Sequence, residues 1–508
     1  MDIKINGYPL DTEQLKIATS TCQELLVVAG AGSGKTFTIL GRIWYLINIK
    51  KIEAKNILCI SYTREAANSL KEKLKKELNI DIDVFTFHKL ALNILKENAA
   101  NFSIANADTL ELCIEEYLKI DILNYPEQLK YLRFILKINW HSNEEYLQKL
   151  EENEYEVNKF INIIATFIKL YKCNGYNVTF FSNLLNKLQK NFWKKIDSFY
   201  ILIIFNIYLK YSTYLKDNNE YDFDDLIIEA TKIINKNDTV KNYKHFIIDE
   251  YQDSSFIRFN LIKTIVDRNN SYFMAVGDDF QSIYKFSGSD INLFINFNSF
   301  FRAGKILKIQ TTYRNSQELV NVAGDFIMQN KKQIKKEMQS NIHVDRPIKI
   351  VYYSNAKKDF FTLLSYLYKI ENYKLFILSR NNKDIENFIN DKVIYSDGNV
   401  KIEGKSRFII RHMTIHKSKG LECDDVILIN LIDDKLGFPS MMEQDKILNY
   451  IRKDTKKDFI EEERRLFYVA LTRAKRNCYL FVPSEKPSIF VRELLKNYKE
   501  YIEFISIH

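Results

Sequence analysis

The octapeptide Ala29-Gly30-Ala31-Gly32-Ser33-Gly34-Lys35-Thr36 follows directly on an apolar run at residues 25–28. Such a strand, glycine-rich turn and following helix predict a phosphate-binding loop, because glycines let successive backbone N–H groups converge on phosphate oxygens. Lys35 is expected to reach the β- and γ-phosphates and Thr36 to ligate Mg²⁺. Ala29 replaces the usual first glycine, a departure of one methyl group. The stretch predicts an ATP or GTP site within an α/β fold.

Bulk composition limits the class of protein. The chain has 508 residues, 46% of them hydrophobic and 27% charged, and a formal net charge of +9. This length predicts two to four domains, and the charge permits nucleic-acid binding without demonstrating it. The six cysteines show no metal-ligand spacing, which argues against zinc or iron–sulfur sites. With no signal peptide or bilayer-length apolar run, a cytoplasmic protein with no membrane partner is expected.

Short apolar runs that end in polar clusters organise the chain. Between about residues 89 and 221 they give way to helical periodicity, which predicts an inserted α-helical domain. The lysine-rich stretches 331–336 and 451–457 are expected to be solvated. Parallel strands with helices on the sheet faces are predicted at 25–28, 56–61, 83–87, 245–248 and 272–276, and a second α/β domain from strands at 305–309, 348–353, 374–378, 393–395, 425–430 and 479–482.

Further polar residues supply groups that nucleotide hydrolysis needs and that the phosphate loop does not contain. Asp249 and Glu250 follow the apolar residues 245–248, so Asp249 is suited to hold Mg²⁺ and Glu250 to orient and deprotonate a water. Gln281, after another strand, is a candidate γ-phosphate sensor. Arg314 and Arg473 lie far downstream, where a second domain could present each guanidinium to the developing charge.

Together these segments resemble the UvrD/Rep-type superfamily 1 DNA helicases, and within them the helicase IV subgroup. The Phe-Ser-Gly at 286–288 and the Gly-Phe-Pro at 437–439 favour that subgroup. The matching stretches, in order along nearly the whole chain, lie at 10–14, 29–36, 60–67, 86–88, 222–226, 248–253, 277–288, 311–314, 377–380, 413–422 and 462–474.

The resemblance implies two RecA-like parallel-sheet P-loop domains with an inserted α-helical domain. It divides the chain into residues 1–88 (first part of domain 1A), 89–221 (helical domain 1B), 222–287 (second part of 1A) and 288–508 (domain 2A). Larger family members carry a second helical insertion, 2B, between the positions of Arg314 and Thr414. Here only residues 315–413 fill that interval, so 2B is expected to be reduced or absent.

The resemblance also implies residue roles. Lys35, Glu250, Gln281, Arg314 and Arg473 are the implied catalytic set, with Glu250 as general base, and Thr36 and Asp249 are the implied Mg²⁺ ligands. ATP would be bound by residues 29–36, with Gln14 reading adenine, Tyr313 stacking on it and Glu422 touching the ribose. The implied contacts to single-stranded DNA are Tyr62, Thr63, Phe87, His88, Tyr284, Phe286, Arg380, Thr414 and His416.

The implied function is an ATP-dependent 3′–5′ DNA helicase or translocase acting on single strands and duplex junctions. Without a full 2B domain, unwinding is expected to need a protein partner or self-association. A second reading is a DNA-stimulated ATPase that remodels protein–nucleic acid complexes with little unwinding. A binding module without ATPase activity conflicts with the intact catalytic set, and a kinase or GTPase leaves Gln14, Tyr313 and the distal arginines unexplained.

Overall fold

A computed structural model describes residues 3–98, 101–236, 241–301, 303–368, 373–442, 445–452 and 455–507. The chain begins with alternating strands and helices, as the sequence predicts. Asp11 starts the first helix with a capping box that includes Gln14, and Thr63 caps the third. The elements up to residue 98 are β1 Lys4–Ile5, β2 Tyr8–Pro9, α1 Thr12–Ala18, β3 Glu24–Ala29, α2 Lys35–Asn48, β4 Ile57–Ser61, α3 Arg64–Leu78, β5 Asp83–Thr86 and α4 Phe87–Asn98.

A helical unit follows, with its own core around the fully buried Ile164, Phe167 and Ile204. In the described residues no helix is long and apolar enough to cross a membrane. The elements between residues 101 and 236 are β6 Ser103–Ile104, α5 Thr109–Lys119, α6 Pro126–Leu136, α7 Asn143–Glu152, α8 Glu154–Cys173, α9 Thr179–Gln189, α10 Lys195–Asp217, β7 Glu220–Tyr221 and α11 Phe223–Lys236.

The predicted boundary at residue 88 falls inside α4. Leu90 and Ile94 on this helix are buried in the core of the first α/β unit, together with Leu226 and Ile227 of α11. The helical period begins at residue 87, but periodicity alone does not show which core a helix joins. The separate helical core therefore starts with α5.

The chain then returns to complete the first sheet with β8 His245–Ile248, α12 Phe256–Asn269, β9 Tyr272–Gly277, α13 Asn292–Ile295, α14 Phe297–Phe300 and β10 Lys305–Ile309. The sheet is parallel, with strand order β10-β3-β9-β8-β4-β5. The sequence assigns 305–309 to the second domain, and this is wrong: Leu307 pairs with Val27 at the edge of the first sheet. An edge strand carries no sequence mark of its sheet, so the predicted boundary at 287 falls too early.

The remaining elements form a second α/β unit around an eight-stranded sheet, order β13-β14-β15-β12-β16-β17-β11-β18. Residues 315–413 contribute to this sheet and to helices packed on it. The elements are α15 Gln317–Ile327, β11 Ile348–Tyr353, α16 Ala356–Leu367, β12 Lys374–Ser379, β13 Val393–Ser396, β14 Asn399–Ile402, β15 Lys405–Thr414, α17 Ile415–Ser418, β16 Asp425–Leu428, α18 Asn449–Arg452, α19 Lys456–Leu471, β17 Cys478–Pro483, α20 Ile489–Asn497 and β18 Ile502–Phe504.

One segment of the second unit crosses to the helical unit. In residues 445–452, here the bridge segment, Ile447, Leu448 and Ile451 are buried in the helical core. Lys194 Nζ, on the helical unit, also donates a hydrogen bond to the Tyr450 hydroxyl at 2.7 Å. The sequence predicts a solvated stretch at 451–457, which is wrong for the buried Ile451; residues 453 and 454 lie outside the described residues.

Candidate nucleotide and DNA site

The glycine-rich loop has the backbone that the sequence predicts for a phosphate cradle. Gly32 and Gly34 have φ of +71° and +76°, values that L side chains rarely adopt. A Cβ at Gly32 would lie 2.5 Å from Arg314 Cβ, and one at Gly34 would lie 2.8 Å from Gln14 Nε2. Gly34 also precedes the first residue of α2, Lys35, so the loop delivers backbone N–H groups and a helix N-terminus to one point.

The second α/β unit docks on this loop through the segment 312–314. Thr312 Oγ1 donates a hydrogen bond to the Ala31 carbonyl at 2.8 Å, and the Tyr313 backbone N–H donates to the Gly32 carbonyl at 3.0 Å. The candidate nucleotide site is therefore built at the contact between the two units.

Asp249 and Glu250 lie at the carboxyl end of β8, beside the loop. Glu250 has φ of +54°, a left-handed conformation that costs a non-glycine residue about 1–3 kcal/mol and aims its carboxylate toward Lys35. Lys35 Nζ lies 3.7 Å from Glu250 Oε1. Burial disfavours ionised Glu250, but Lys35 and Lys419 outweigh it and bring its pKa to about 2. Glu250 thus carries a negative charge.

Asp249 differs from its neighbour. Burial and the adjacent Glu250 carboxylate raise the pKa of Asp249 to about 7. A bound cation would stabilise the ionised form of such a carboxylate. Thr36, in the first turn of α2, supplies a hydroxyl oxygen from the phosphate-binding loop. These oxygen donors fit Mg²⁺, which supplies charge neutralisation on the phosphates when bound.

The predicted sensor and one predicted arginine finger are in contact. Arg473, only 1% exposed, donates from Nη2 to Gln281 Oε1 at 3.2 Å and from Nε to the Val469 carbonyl at 3.0 Å. Burial and the nearby Arg314 lower the pKa of Arg473 to about 10, so the guanidinium stays charged at neutral pH. A buried, fixed cation is suited to stabilise charge that develops on a phosphate.

The residues expected around the base and ribose lie at the outer end of the site. Gln14 is buried and its Nε2 donates to the Ser33 carbonyl at 3.2 Å. Tyr313 is 56% exposed, and its hydroxyl donates to Asp11 Oδ2 at 2.7 Å. Glu422 pairs with Arg314 Nε at 3.0 Å, which places a carboxylate beside the second predicted finger.

Four of the predicted DNA-contacting residues form one aromatic cluster, defined here as Tyr62, Tyr284, Phe286 and His416. The Tyr62 and Tyr284 rings are stacked, with centroids 6.0 Å apart and planes 6° apart. Phe286 lies edge-on to His416 at 5.4 Å and is 48% exposed. Burial and the neighbouring Arg380 and Lys419 lower the pKa of His416 to about 4, so it is neutral at pH 7.

The other predicted DNA contacts are less uniform. Phe87 is 3% exposed in the first core, so the structure does not bring its ring to the surface. His88 packs edge-on against Phe223, and Thr63 is exposed at the start of α3. Thr414 is buried and caps α17, and Arg380 pairs with Glu463 at 2.9 Å.

Lys419 is a site residue to which the sequence analysis gives no role. Its Nζ binds Asp253, donates to the Gln281 carbonyl at 2.8 Å and lies 3.9 Å from Glu250 Oε2. The same ammonium lies 4.9 Å from the Tyr284 ring centroid. It thus contacts both the nucleotide residues and the aromatic cluster. The motif 413–422 contains Lys419, but its two-sided contacts depend on the docking of the two units.

Lys336 corrects the expectation that residues 331–336 are solvated. Its side chain is fully buried and its Nζ binds Asp278 and, at 2.7 Å, Asp279 Oδ1, while lying 3.7 Å from the Phe280 ring centroid. Burial without those carboxylates would be prohibitive for an ammonium. The lysine-rich sequence at 331–336 does not show that Asp278 and Asp279 of the first unit bind one of its lysines.

Family models match the two halves of the chain in order. The N-terminal domain of the UvrD/REP helicases matches residues 10–302, and the UvrD-like helicase C-terminal domain matches residues 379–485. The chain belongs to the UvrD/Rep helicase family. This membership confirms the resemblance seen in the sequence. The parallel first sheet and the second sheet, which is parallel except for the β13–β14 and β14–β15 pairs, agree with two RecA-like domains.

Individual relatives are similar over much of the chain. DNA helicase IV of Escherichia coli K12 is 30% identical over 97% of this chain and 71% of the relative. The Rep helicase of Buchnera aphidicola subsp. Schizaphis graminum is 29% identical over 66% of this chain and 46% of the relative, and PcrA of Bacillus subtilis 168 is 27% identical over 68% and 42%. The alignments therefore cover less than half of the Rep and PcrA chains.

Proposed function

We propose that this UvrD/Rep family protein couples ATP hydrolysis between its two α/β units to 3′–5′ movement on single-stranded DNA and to strand separation. The observation that carries the proposal is Lys419, whose ammonium contacts Glu250 and Gln281 on one side and the Tyr284 ring on the other. A change at the γ-phosphate position thus reaches a DNA-stacking ring through one side chain. The direction of movement rests on the family alone.

Each residue of the nucleotide site has a chemical task in this proposal. Lys35 and the loop amides bind the phosphates, Glu250 accepts the proton of the attacking water, and Gln281 orients that water or the γ-phosphate. Arg314 and Arg473 stabilise the developing charge from the second unit. Thr36 and Asp249 would hold Mg²⁺. Because two of the cations come from the second unit, hydrolysis is favoured only when the units are closed.

A second candidate is an ATPase that remodels protein–nucleic acid complexes with little unwinding. It is favoured by residues 315–413, which fold as part of the second unit and its sheet. Single-turnover strand separation on a tailed duplex, at protein concentrations below and above self-association, decides between the two: unwinding at either concentration supports the helicase, whereas its absence at both, with translocation retained, supports the remodeller.

The primary test is ATP hydrolysis with and without single-stranded DNA, RNA and duplex. Large stimulation by single-stranded DNA supports the proposal, and stimulation only by a protein complex opposes it. Glu250→Gln is expected to bind ATP normally and to lower turnover roughly a thousandfold, because it loses the general base. Glu485→Gln, at an exposed position, is the matched control. Turnover retained in Glu250→Gln would remove Glu250 from the role of base.

A further inference from the structure

Two adjacent aromatic side chains on the helical unit are exposed to an unusual degree. Trp193 is 90% exposed and Phe192 is 81% exposed, with ring centroids 5.9 Å apart and planes at 82°. Aromatic rings contribute most when buried, and such exposure in a folded protein marks an interaction site. We define the pair, which lies between α9 and α10, as the aromatic tip.

The charge around the tip indicates the kind of partner. Residues 179–196 contain no aspartate or glutamate, and they include Lys187, Lys190, Lys194 and Lys195; Asp197 follows and pairs with Lys194 at 3.3 Å. All four lysine residues are exposed. Flat apolar rings surrounded by cations complement a single-stranded nucleic acid, in which bases offer ring faces and phosphates offer negative charge.

The tip is close to the predicted DNA path. Lys194, the residue after Trp193, donates from Nζ to the Tyr450 hydroxyl at 2.7 Å. Tyr450 and Arg452 lie on α18, about 3 Å apart along the helix axis. Arg452 Nη2 in turn lies 3.5 Å from the Phe286 carbonyl, in the aromatic cluster. A strand that leaves the cluster along the bridge segment therefore meets the tip.

We propose that the aromatic tip is a second stacking site for single-stranded DNA, which holds bases beyond those on the Tyr62–His416 cluster. The inference rests on the proposed function for the identity of the strand. It adds an anchor on the helical unit, in residues to which the sequence motifs assign no role. Trp193 provides the stacking face, while the exposed Lys187 and Lys190 neutralise neighbouring phosphates.

Trp193 also reports on its own occupancy. The chain has three tryptophans, of which Trp140 is 1% exposed and Trp44 is partly buried on α2. Part of the tryptophan fluorescence of the unsubstituted protein is therefore expected to be quenched by iodide and to be missing from Trp193→Phe. That part belongs to Trp193. Oligodeoxythymidylate is expected to quench this emission and protect it from iodide. A longer oligonucleotide should do so at a lower concentration than one just long enough to cover the cluster.

The affinity of variants for single-stranded DNA distinguishes base stacking on Trp193 from a DNA strand that only passes near it. Trp193→Ala is expected to bind long oligodeoxythymidylate about five- to tenfold more weakly, and Trp193→Phe to bind within twofold of the natural protein, because a phenyl ring still stacks. Tyr366→Ala, which removes a half-exposed ring from α16, is the matched control and should leave affinity unchanged. Hydrolysis without DNA should be equal in all variants, which also shows that they fold.

The readouts keep this inference separate from the proposed function. Emission that does not change at saturating DNA, while the same DNA stimulates hydrolysis, would overturn the stacking site and leave the function intact. Emission that changes with protein concentration in the absence of DNA would overturn it in favour of contact with a second copy. Quenching with the expected loss in Trp193→Ala supports the site even if hydrolysis does not respond to DNA.

Discussion

Arg473 Nη2 lies 3.2 Å from Gln281 Oε1, so the arginine at the end of α19 in the second unit contacts the predicted sensor of the first. Three further donations, to the Val469 and Leu421 carbonyls and the Thr472 hydroxyl, fix the guanidinium. A cation with this many partners cannot adjust independently of the second unit. The contact therefore ties the catalytic charge to the relative position of the two units.

Arg473→Lys is expected to lower DNA-stimulated ATP hydrolysis roughly a thousandfold and to leave nucleotide affinity within a few-fold. Lysine keeps the charge but cannot reproduce the planar set of donors that holds Gln281 and three other oxygens. Steady-state hydrolysis and equilibrium nucleotide binding are the measurements. Arg476→Lys, an exposed neighbour, is the control. A rate within threefold of the natural protein would show that Arg473 is structural.

Lys419→Met should uncouple the two sites. The variant removes the ammonium shared by Asp253, Glu250 and the Tyr284 ring while keeping a side chain of similar length. We expect the stimulation of hydrolysis by single-stranded DNA to fall about tenfold or more, relative to hydrolysis without DNA. Lys417→Met, two positions earlier and exposed, should keep the full ratio. An unchanged ratio in Lys419→Met would exclude this side chain as the link.

The residues of the candidate site are easier to predict from the sequence than the contacts between the two α/β units are. The strands at 245–248 and 348–353 are confirmed because buried strands are continuous apolar runs between turn signals. The edge strand at 305–309 is assigned to the wrong sheet, and β14, with its alternating pattern, is missed. Edge and hairpin strands bury only part of their surface, so their pattern is weaker and their partners lie far away in sequence.

The nucleotide residues are predictable because each belongs to a local motif at the end of a strand or helix. The loop at 29–36 and the pair at 249–250 need no knowledge of the second unit. Lys419, Lys336 and the buried state of Phe87 depend on which surfaces meet, and that is not encoded in local spacing.

Lys336→Met is expected to destabilise the protein by about 3–5 kcal/mol, because two buried carboxylates lose the cation that they share. Urea unfolding at pH 7 measures the change in free energy. Lys335→Met, with its side chain 76% exposed, should change the free energy of unfolding by less than about 0.5 kcal/mol. Adding Asp278→Asn and Asp279→Asn to Lys336→Met should recover part of the loss. Equal effects of the two lysine variants would contradict the buried cluster.

Acidification should weaken the second unit through His412. Burial and Lys417 lower the pKa of this histidine to about 4, against about 6.5 when unfolded. The unfolded chain therefore binds more protons between pH 6.5 and 4, so stability is full above pH 6.5 and falls as the pH decreases through this window. By pH 5 the cost is at most about 2 kcal/mol.

His412→Asn should remove one part of that pH dependence, because burial also lowers the pKa of His88, His245 and His416 to about 4. The variant keeps a polar group opposite Ser379, whose Oγ lies 2.8 Å from His412 Nε2, but has nothing to protonate. Urea unfolding at pH 7 and pH 5 is the measurement, and His141→Asn, at an exposed position, is the control. If both variants lose the same free energy as the natural protein on acidification, His412 does not control the effect.

Ile451→Asp should release the bridge segment from the helical unit. Ile451 is 2% exposed among the helical core residues, together with Ile447 and Leu448, so a carboxylate there loses apolar contacts and has to be desolvated. We expect the natural protein to unfold in one thermal transition. In the variant the helical unit should unfold separately, at a temperature several degrees lower.

Asn449→Asp is the matched control for Ile451→Asp, because it introduces the same charge two residues earlier at an exposed position. Differential scanning calorimetry distinguishes a separated transition from a uniform shift. Because the nucleotide residues lie on the two α/β units, nucleotide affinity should persist in Ile451→Asp, while binding to long single-stranded DNA should weaken. A single transition at the temperature of the control would mean that the bridge segment contributes no coupling, and that other contacts, such as the Lys172–Asp225 ion pair between α8 and α11, hold the helical unit.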